Sequence, residues 1–137
     1  MAEIKKIKVV MVEPGKKAKV AEIDNSLESL QGAVGGWIEA FYPWSDNVCL
    51  VCNEEGKFNG MRPNRALRDD GGEIYDVIFG TFLVAGCGEE DFDSLTDEQV
   101  ERYAKMFERP EIIISTNGRL MVVKADDDGF MMREEKK

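Results

Sequence analysis

The sequence contains no histidine among its 137 residues. Histidine is the usual base that activates a serine or cysteine nucleophile, and it is the commonest protein ligand for transition metals. Its absence excludes the Ser-His and Cys-His catalytic arrangements and weakens the case for a metal centre. We therefore expect a protein that acts by binding, not an enzyme, and we expect no cofactor and no metal.

Cysteine is also scarce, with only three residues, at positions 49, 52 and 87. An odd number of cysteines without a secretory signal is typical of reduced thiols, and no apolar run is long enough to cross a bilayer. We therefore expect a cytoplasmic protein that does not enter a membrane. Cys49 and Cys52 match C-x-x-C, but in a strand their side chains point to opposite faces. We predict buried core thiols and not a metal or redox pair.

Positive charge is in deficit, because 18 Lys and Arg residues stand against 27 Asp and Glu residues, for a formal net charge of −9. Such a field repels DNA, RNA and anionic lipid, so we expect no direct binding to nucleic acid. Solubility is the simplest explanation of the charge. The sharper alternative is a protein that mimics nucleic acid in order to occupy a basic partner surface.

Short runs of β-branched and aromatic residues alternate with turn residues, which is typical of a sheet built from hairpins. Hairpin turns are predicted at Pro14-Gly15, at Pro43 through Asn47 and at Asn117-Gly118, the last with the strongest type I′ signal. A further strand is predicted from Ile74 through Ala85, with Gly80 as a bulge or a point of close approach.

Two short helices are predicted from their capping signals. Asn25 precedes Glu28 by three positions, and Thr96 precedes Gln99 by the same spacing ahead of an apolar helix face. Together with the hairpins, these signals predict an α+β fold with a mixed, mainly antiparallel sheet. One domain is expected over residues 1–125, followed by a charged, frayed tail over residues 126–137.

The stretch from Asn53 through Gly72 is polar and without a sustained period, so we predict a long loop. Arg62, Arg65 and Arg68 recur every three residues, and a helical turn would gather their guanidinium groups into an anion pocket. The alternative is that the arginines pair with carboxylates and brace the loop on the sheet. The carboxylates nearby in sequence are Asp69, Asp70, Glu73 and Asp76.

Four aromatic residues lie close together in sequence, namely Trp37, Phe41, Tyr42 and Trp44. They favour either core packing or a surface that stacks on bases or on a partner. Alternation along a strand allows at most half of them to face solvent. Trp44, in the predicted turn, is the best candidate for a ligand contact.

Several linked motifs cover most of the chain: Val12-Glu13-Pro14-Gly15-Lys16, Leu27-Glu28-Ser29-Leu30-Gln31, Asn53-Glu54-Glu55-Gly56-Lys57, Pro63-Asn64-Arg65-Ala66-Leu67 and the run from Gly72 to Phe82. Together they resemble the family of the domain of unknown function numbered 3846. The resemblance implies a setting in phages and mobile elements of bacteria, hence an accessory or counter-defence role, and it identifies no catalytic residues. It also implies a polar signature of Asn53, Asn59, Asn64, Arg65 and Asp76, with the Asn117-Gly118 hairpin as an extension.

Two functions fit these observations. In the first, the protein sequesters a small, anionic, nucleotide-like ligand in order to counter a bacterial defence system. Its predicted ligand-binding residues are Lys57, Asn59, Arg62, Asn64, Arg65 and Trp44, which supply positive charge, amide hydrogen bonds and one stacking ring. In the second, the acidic surface or an exposed sheet edge inhibits a basic host defence protein, as an anti-restriction or anti-CRISPR inhibitor would. Both allow a homo-oligomer.

Overall fold

The computed structural model describes residues 4–125 and the backbone of residues 132–135. The elements in chain order are β1 (Lys6–Val12), β2 (Lys19–Asp24), α1 (Leu27–Val34), β3 (Ile38–Phe41), β4 (Val48–Asn53), β5 (Pro63–Arg68), β6 (Ile74–Phe79), β7 (Phe82–Cys87), β8 (Phe92–Asp93), α2 (Asp97–Met106), β9 (Glu111–Thr116), β10 (Arg119–Ala125) and β11 (Met132–Glu135).

The main sheet has the strand order β2-β1-β7-β4-β3, and the short β8 pairs with β7. Two smaller sheets complete the fold, the β5–β6 hairpin and the three strands β11-β10-β9. All the strand pairs described are antiparallel. The predicted α+β fold, with a strand-rich sheet built from hairpins and two helices, is confirmed.

The main sheet is covered on both faces, so the protein has two hydrophobic cores. One core joins the sheet to α2 and to the β5–β6 hairpin, through Leu67, Ile78, Tyr103 and Phe107 among others. The other joins the opposite face to α1 through Leu30. Every residue of β4 is buried, as expected of a strand covered on both sides.

The cysteines of β4 follow this alternation. Cys49 belongs to the core beneath α1, whereas Cys52 belongs to the core beneath α2. The predicted placement on opposite faces is therefore confirmed. Burial, followed by the neighbouring Cys87, raises the pKa of Cys49 to about 12, and burial raises the pKa of Cys52 to about 11. Both thiols stay protonated at neutral pH.

The two helices begin at side-chain caps. In α2 the Thr96 hydroxyl accepts from the Gln99 N–H and the Gln99 side chain accepts from the Thr96 N–H, so the predicted capping box is confirmed. In α1 the N-cap is Ser26, not Asn25. The Asn25 side-chain amide instead donates to the Phe92 carbonyl at 2.9 Å and ties the start of α1 to β8.

The predicted long loop from Asn53 through Gly72 is wrong in its second half, which forms strand β5. The predicted strand from Ile74 through Ala85 is also divided, because the chain leaves β6 and enters β7 in another sheet. Gly80 makes the break possible with a φ of +80°, and an added Cβ there would lie 2.6 Å from the Met61 sulfur. Both errors arise because pairing in a separate hairpin outweighs local composition.

The Asn117-Gly118 turn joins β9 to β10 with positive φ at both residues, 53° and 76°, which confirms the predicted hairpin. The predicted frayed tail over 126–137 falls mostly outside the described residues. Within it, the backbone of β11 pairs with β10.

Candidate functional site

Arg65, predicted to bind a ligand, lies in β5 with no exposed surface. Its Nη2 donates to the carbonyls of Lys16 at 2.7 Å and Phe107 at 2.8 Å, and its Nε donates to Phe107 at 3.3 Å. Its Nη1 donates to the Asn64 side-chain oxygen at 2.9 Å. The guanidinium group thus ties together the β1–β2 turn, β5 and the C-terminal end of α2.

Burial lowers the pKa of Arg65 to about 10, while the nearby Glu111 carboxylate opposes that shift. The side chain is therefore still cationic at neutral pH. Because main-chain carbonyls and a neighbouring amide already surround it, the observations favour the bracing alternative for this residue. Its acceptors are mostly carbonyl oxygens and not the carboxylates expected from sequence.

Asn64 is also fully buried. Its amide donates to the Val12 carbonyl at 2.9 Å and to the Gly80 carbonyl at 2.8 Å. It therefore links the end of β1 to the break between β6 and β7, and together with Arg65 it forms one internal hydrogen-bonded unit.

The other two arginines of the predicted cluster are placed differently. Arg62 is exposed just before β5, and its guanidinium lies beside Gly15, 3.3 Å from where a Cβ on that glycine would stand. Arg68 pairs with Glu111 at 3.3 Å. The expected helical turn is wrong, because Pro63–Arg68 is an extended strand; Arg62 and Arg65 both reach the β1–β2 turn, whereas Arg68 reaches Glu111.

Trp44 packs on α2 instead of projecting from its turn. Its ring centroid lies 4.7 Å from that of Tyr103 and 6.1 Å from that of Phe107, in tilted and edge contacts. The indole thereby covers one end of the core beneath α2.

Lys57 and Asn59 lie exposed in the turns between β4 and β5. The Lys57 ammonium pairs with Asp76 at 2.9 Å. The Asn53 side chain holds the start of this segment, because its oxygen accepts from the Glu55 N–H at 2.8 Å and its amide donates to the Val34 carbonyl at 3.2 Å. Asn53, Asn64 and Arg65 of the polar family signature thus all make internal bonds.

Two of the six predicted ligand-binding residues, Lys57 and Trp44, line cavities in the described part of the chain. Lys57 lines a cavity of about 140 Å³ beside β3 and another of about 450 Å³ between β6 and the β9–β10 hairpin. Trp44 lines a third, of about 340 Å³, beside Arg68. No two of the six line the same one of these three cavities.

Large exposed aromatic side chains instead surround the outer edge of the main sheet at β3. Trp37 immediately precedes this strand and is 70% exposed, while Tyr42 immediately follows it and is 66% exposed. Phe58 is 88% exposed and shares the cavity of about 140 Å³ with Glu39 and Phe41. We call Trp37, Tyr42, Phe58 and β3 the aromatic edge.

The aromatic edge is also acidic. Glu39 projects from β3 itself, and Glu54 and Glu55 follow β4, its pairing partner; all three are exposed. The sequence predicts a ligand contact at Trp44 and does not single out Phe58. An apolar ring inside the polar run after Asn53 is the signal that could have pointed to it.

The β3–β4 turn is fixed to α2 by a cluster around Asp46. This carboxylate accepts hydrogen bonds from Gln99 at 3.1 Å and Tyr103 at 3.0 Å, and it pairs with Arg102. Desolvation raises the pKa of Asp46, but these bonds, with that from the Asn47 N–H, outweigh it and leave the pKa below its ordinary value.

Stability should therefore depend on Asp46 in acid. A carboxyl group whose folded pKa is depressed stabilises the fold fully above its unfolded pKa and loses that effect as the pH falls through its folded pKa. In urea denaturation from pH 7 to pH 3, wild type should lose stability below about pH 4 more steeply than Asp46→Asn. Asp70→Asn, at an exposed turn, should keep the wild-type profile; an identical profile for Asp46→Asn would contradict the assignment.

Within residues 4–125, no group of three or more cysteine, aspartate or glutamate side chains has an arrangement that could hold a metal ion. In the same part of the chain, no helix is long and apolar enough to cross a membrane.

Fold and surface together define an α+β protein in which Asn53, Asn64 and Arg65 are internal and three exposed aromatic side chains surround one sheet edge. The chain belongs to the family described as Domain of unknown function (DUF3846), whose profile matches residues 7–108. No curated protein and no solved structure matches it. The β9–β10 hairpin lies beyond the matched region.

Proposed function

We propose that this chain is a non-catalytic accessory protein of a phage or mobile element that binds a partner protein in the bacterial cytoplasm. The partner class that best suits the family setting is a basic host defence factor, so the protein would act as an inhibitor. The observation that carries this proposal is the aromatic edge, where Trp37, Tyr42 and Phe58 are each more than half exposed. Exposed aromatic side chains are enriched at the energetic centres of protein interfaces.

Charge supports the same proposal. Carboxylates at Glu39, Glu54 and Glu55 surround the aromatic edge, and the whole chain carries a net charge of −9. Such a surface attracts a basic partner and accelerates encounter at low salt. Conversely, two residues predicted for a nucleotide-like ligand, Asn64 and Arg65, are buried and bonded internally.

The test uses the full chain, affinity-tagged and expressed in a bacterial host, with captured proteins quantified by mass spectrometry. Wild type should capture a specific partner, and the double variant Trp37→Ser/Phe58→Ser should bind that partner at least about 30-fold more weakly, because interface hot spots contribute about 2 kcal/mol or more. Binding should also weaken as salt rises.

The matched control is Ile112→Ser/Met121→Ser, which removes apolar side chains that are 43% and 42% exposed on the β9–β10 hairpin. This variant should capture the partner as wild type does. Loss of capture in the control but not in the aromatic variant would contradict the proposed surface.

A small anionic ligand is a second proposal, supported by the position of Arg62. Its guanidinium lies against the β1–β2 turn, where Lys16 and Lys17 are exposed, so positive charge collects there in an acidic chain. Native mass spectrometry of the purified protein should then reveal a co-purifying nucleotide-like molecule, which Arg62→Ala abolishes. Protein that carries no such mass and binds no added nucleotide would exclude this role.

A further inference from the structure

Strand β3 ends the main sheet, and among the described residues no strand pairs with its outer side. The Glu54 N–H donates to the Trp37 carbonyl at 2.8 Å, so this is a hydrogen-bonded pair of the β3–β4 ladder. Such pairs recur at every second position, which directs the backbone groups of Glu39 towards β4 as well. Ile38 and Ala40 occupy the alternate positions of β3. Their N–H and C=O groups therefore point away from the sheet, and no described residue bonds to them.

The opposite edge of the sheet, β2, is protected by charge. Lys19 pairs with Glu13 at 3.0 Å, and Asp24 pairs with Lys6 at 3.1 Å. Lysine and other charged side chains on an edge strand are the usual means of preventing another strand from adding to it. The sequence of β3, Ile-Glu-Ala-Phe, has no lysine and no proline, and its one charged residue, Glu39, would attract and not repel a cationic strand.

We propose that β3 accepts an extended, cationic segment of the partner protein as an additional strand of the main sheet. This inference rests on the proposed function and names the binding mode and the chemistry of the bound segment. Backbone hydrogen bonds to Ile38 and Ala40 hold the segment, and its side chains contact the aromatic edge.

The bound segment is assigned a positive charge because the carboxylates of Glu39, Glu54 and Glu55 are exposed beside the strand. The rings of Trp37 and Phe58 add faces on which a lysine or arginine head group can rest. The neighbouring cavity of about 140 Å³ is lined in part by Phe41 and Phe58, which suit the aliphatic stem of such a side chain, and the Lys57 ammonium that also lines it is paired with Asp76.

A second copy of the chain is a poorer occupant. Each copy carries a net charge of −9, and pairing two β3 strands would bring both sets of carboxylates together. A segment rich in lysine or arginine has the opposite charge and gains from the same side chains.

The first test measures binding of a fluorescently labelled peptide of alternating lysine and valine by fluorescence anisotropy at low salt. Ala40→Pro removes one outward N–H and is compatible with an edge strand because no ladder bond uses that group. It should weaken binding at least tenfold. The control is Val20→Pro at the β2 edge. The Asn25 N–H donates to the Lys5 carbonyl, so this is a hydrogen-bonded pair of the β1–β2 ladder. Val20 falls at an alternate position of that ladder, and its N–H therefore points outward too. This variant should bind as wild type does.

The second test leaves the protein unchanged, so it does not depend on how the proline variants fold. Two versions of the same peptide carry N-methyl groups on alternate amides, one on the lysine amides and one on the valine amides. One of the two should bind at least tenfold more weakly, because its methyl groups replace the N–H donors that face β3. A peptide of alternating glutamate and valine should not bind. Equal binding of the methylated and unmethylated peptides would overturn the added strand, and binding of the glutamate peptide would overturn its charge.

The remaining outcomes separate this inference from the proposed function. If wild type captures a partner through Trp37 and Phe58 but binds the lysine peptide no better than Ala40→Pro does, the inference fails and the proposed function stands. If the peptide binds as expected but no partner is captured, the proposed function fails. A dimer in light scattering that Ala40→Pro dissociates would show that a second copy occupies the edge and would overturn the assigned occupant.

Discussion

Replacing Arg65 with methionine is expected to lower the free energy of unfolding by about 3–5 kcal/mol, the range for removing one member of a buried charged network. Methionine approximates the length of the side chain but donates no hydrogen bond. The carbonyls of Lys16 and Phe107 would lose a charged donor inside the protein. Each buried polar group left without a partner costs about 1–3 kcal/mol.

Urea denaturation followed by circular dichroism measures this effect. Arg62→Met is the matched control, because Arg62 is exposed and a surface substitution usually changes stability by less than about 0.5 kcal/mol. If Arg65→Met were as stable as wild type, the structural role of the Arg65 hydrogen bonds would be disproved, and the observations would again favour a ligand-binding role for Arg65.

A second large effect is expected at Glu111, where alanine should lower the free energy of unfolding by about 2–4 kcal/mol. The Glu111 carboxylate accepts from the Ala66 N–H at 2.9 Å and pairs with Arg68 at 3.3 Å. Its removal leaves a buried N–H unsatisfied and takes away a negative charge that helps to keep Arg65 cationic. The carboxylate thus attaches the β9–β10 hairpin to β5.

Hydrogen exchange would locate this loss as well as measure it. In Glu111→Ala, amide protection should fall first in β5 and β9, whereas Glu111→Gln, which keeps an acceptor for the Ala66 N–H, should recover part of the stability. Glu108→Ala removes an exposed carboxylate three residues earlier and should match wild type. Protection that falls uniformly over the whole chain would contradict a local attachment.

Most of the fold could be predicted from short-range signals. The Pro14-Gly15 and Asn117-Gly118 turns and the Thr96 capping box each depend on residues close together in sequence, and each forms as expected. Strand β5 could not be recognised in this way. Asn64 and Arg65 are polar residues that become favourable in a buried strand only when the distant carbonyls of Val12, Lys16 and Phe107 surround them.

The candidate site shows the same limit. A cluster of arginines in an acidic sequence predicts anion binding only if the side chains reach solvent, and sequence spacing does not determine which of them do. Arg65 is buried, Arg62 is exposed and Arg68 is joined to Glu111. Likewise, the position of Phe58 beside an open strand edge is set by the order of the strands and not by neighbours in the chain.

The alternation of β4 between the two cores gives the protein a pair of natural reporters. Cys49 and Cys52 are three residues apart, yet one is enclosed by the layer containing α1 and the other by the layer containing α2. Both side chains are buried, so modification by a thiol reagent should speed up when the layer over each one opens. Timing the modification of the two cysteines would therefore reveal which of the two covering layers leaves the sheet first as the protein unfolds.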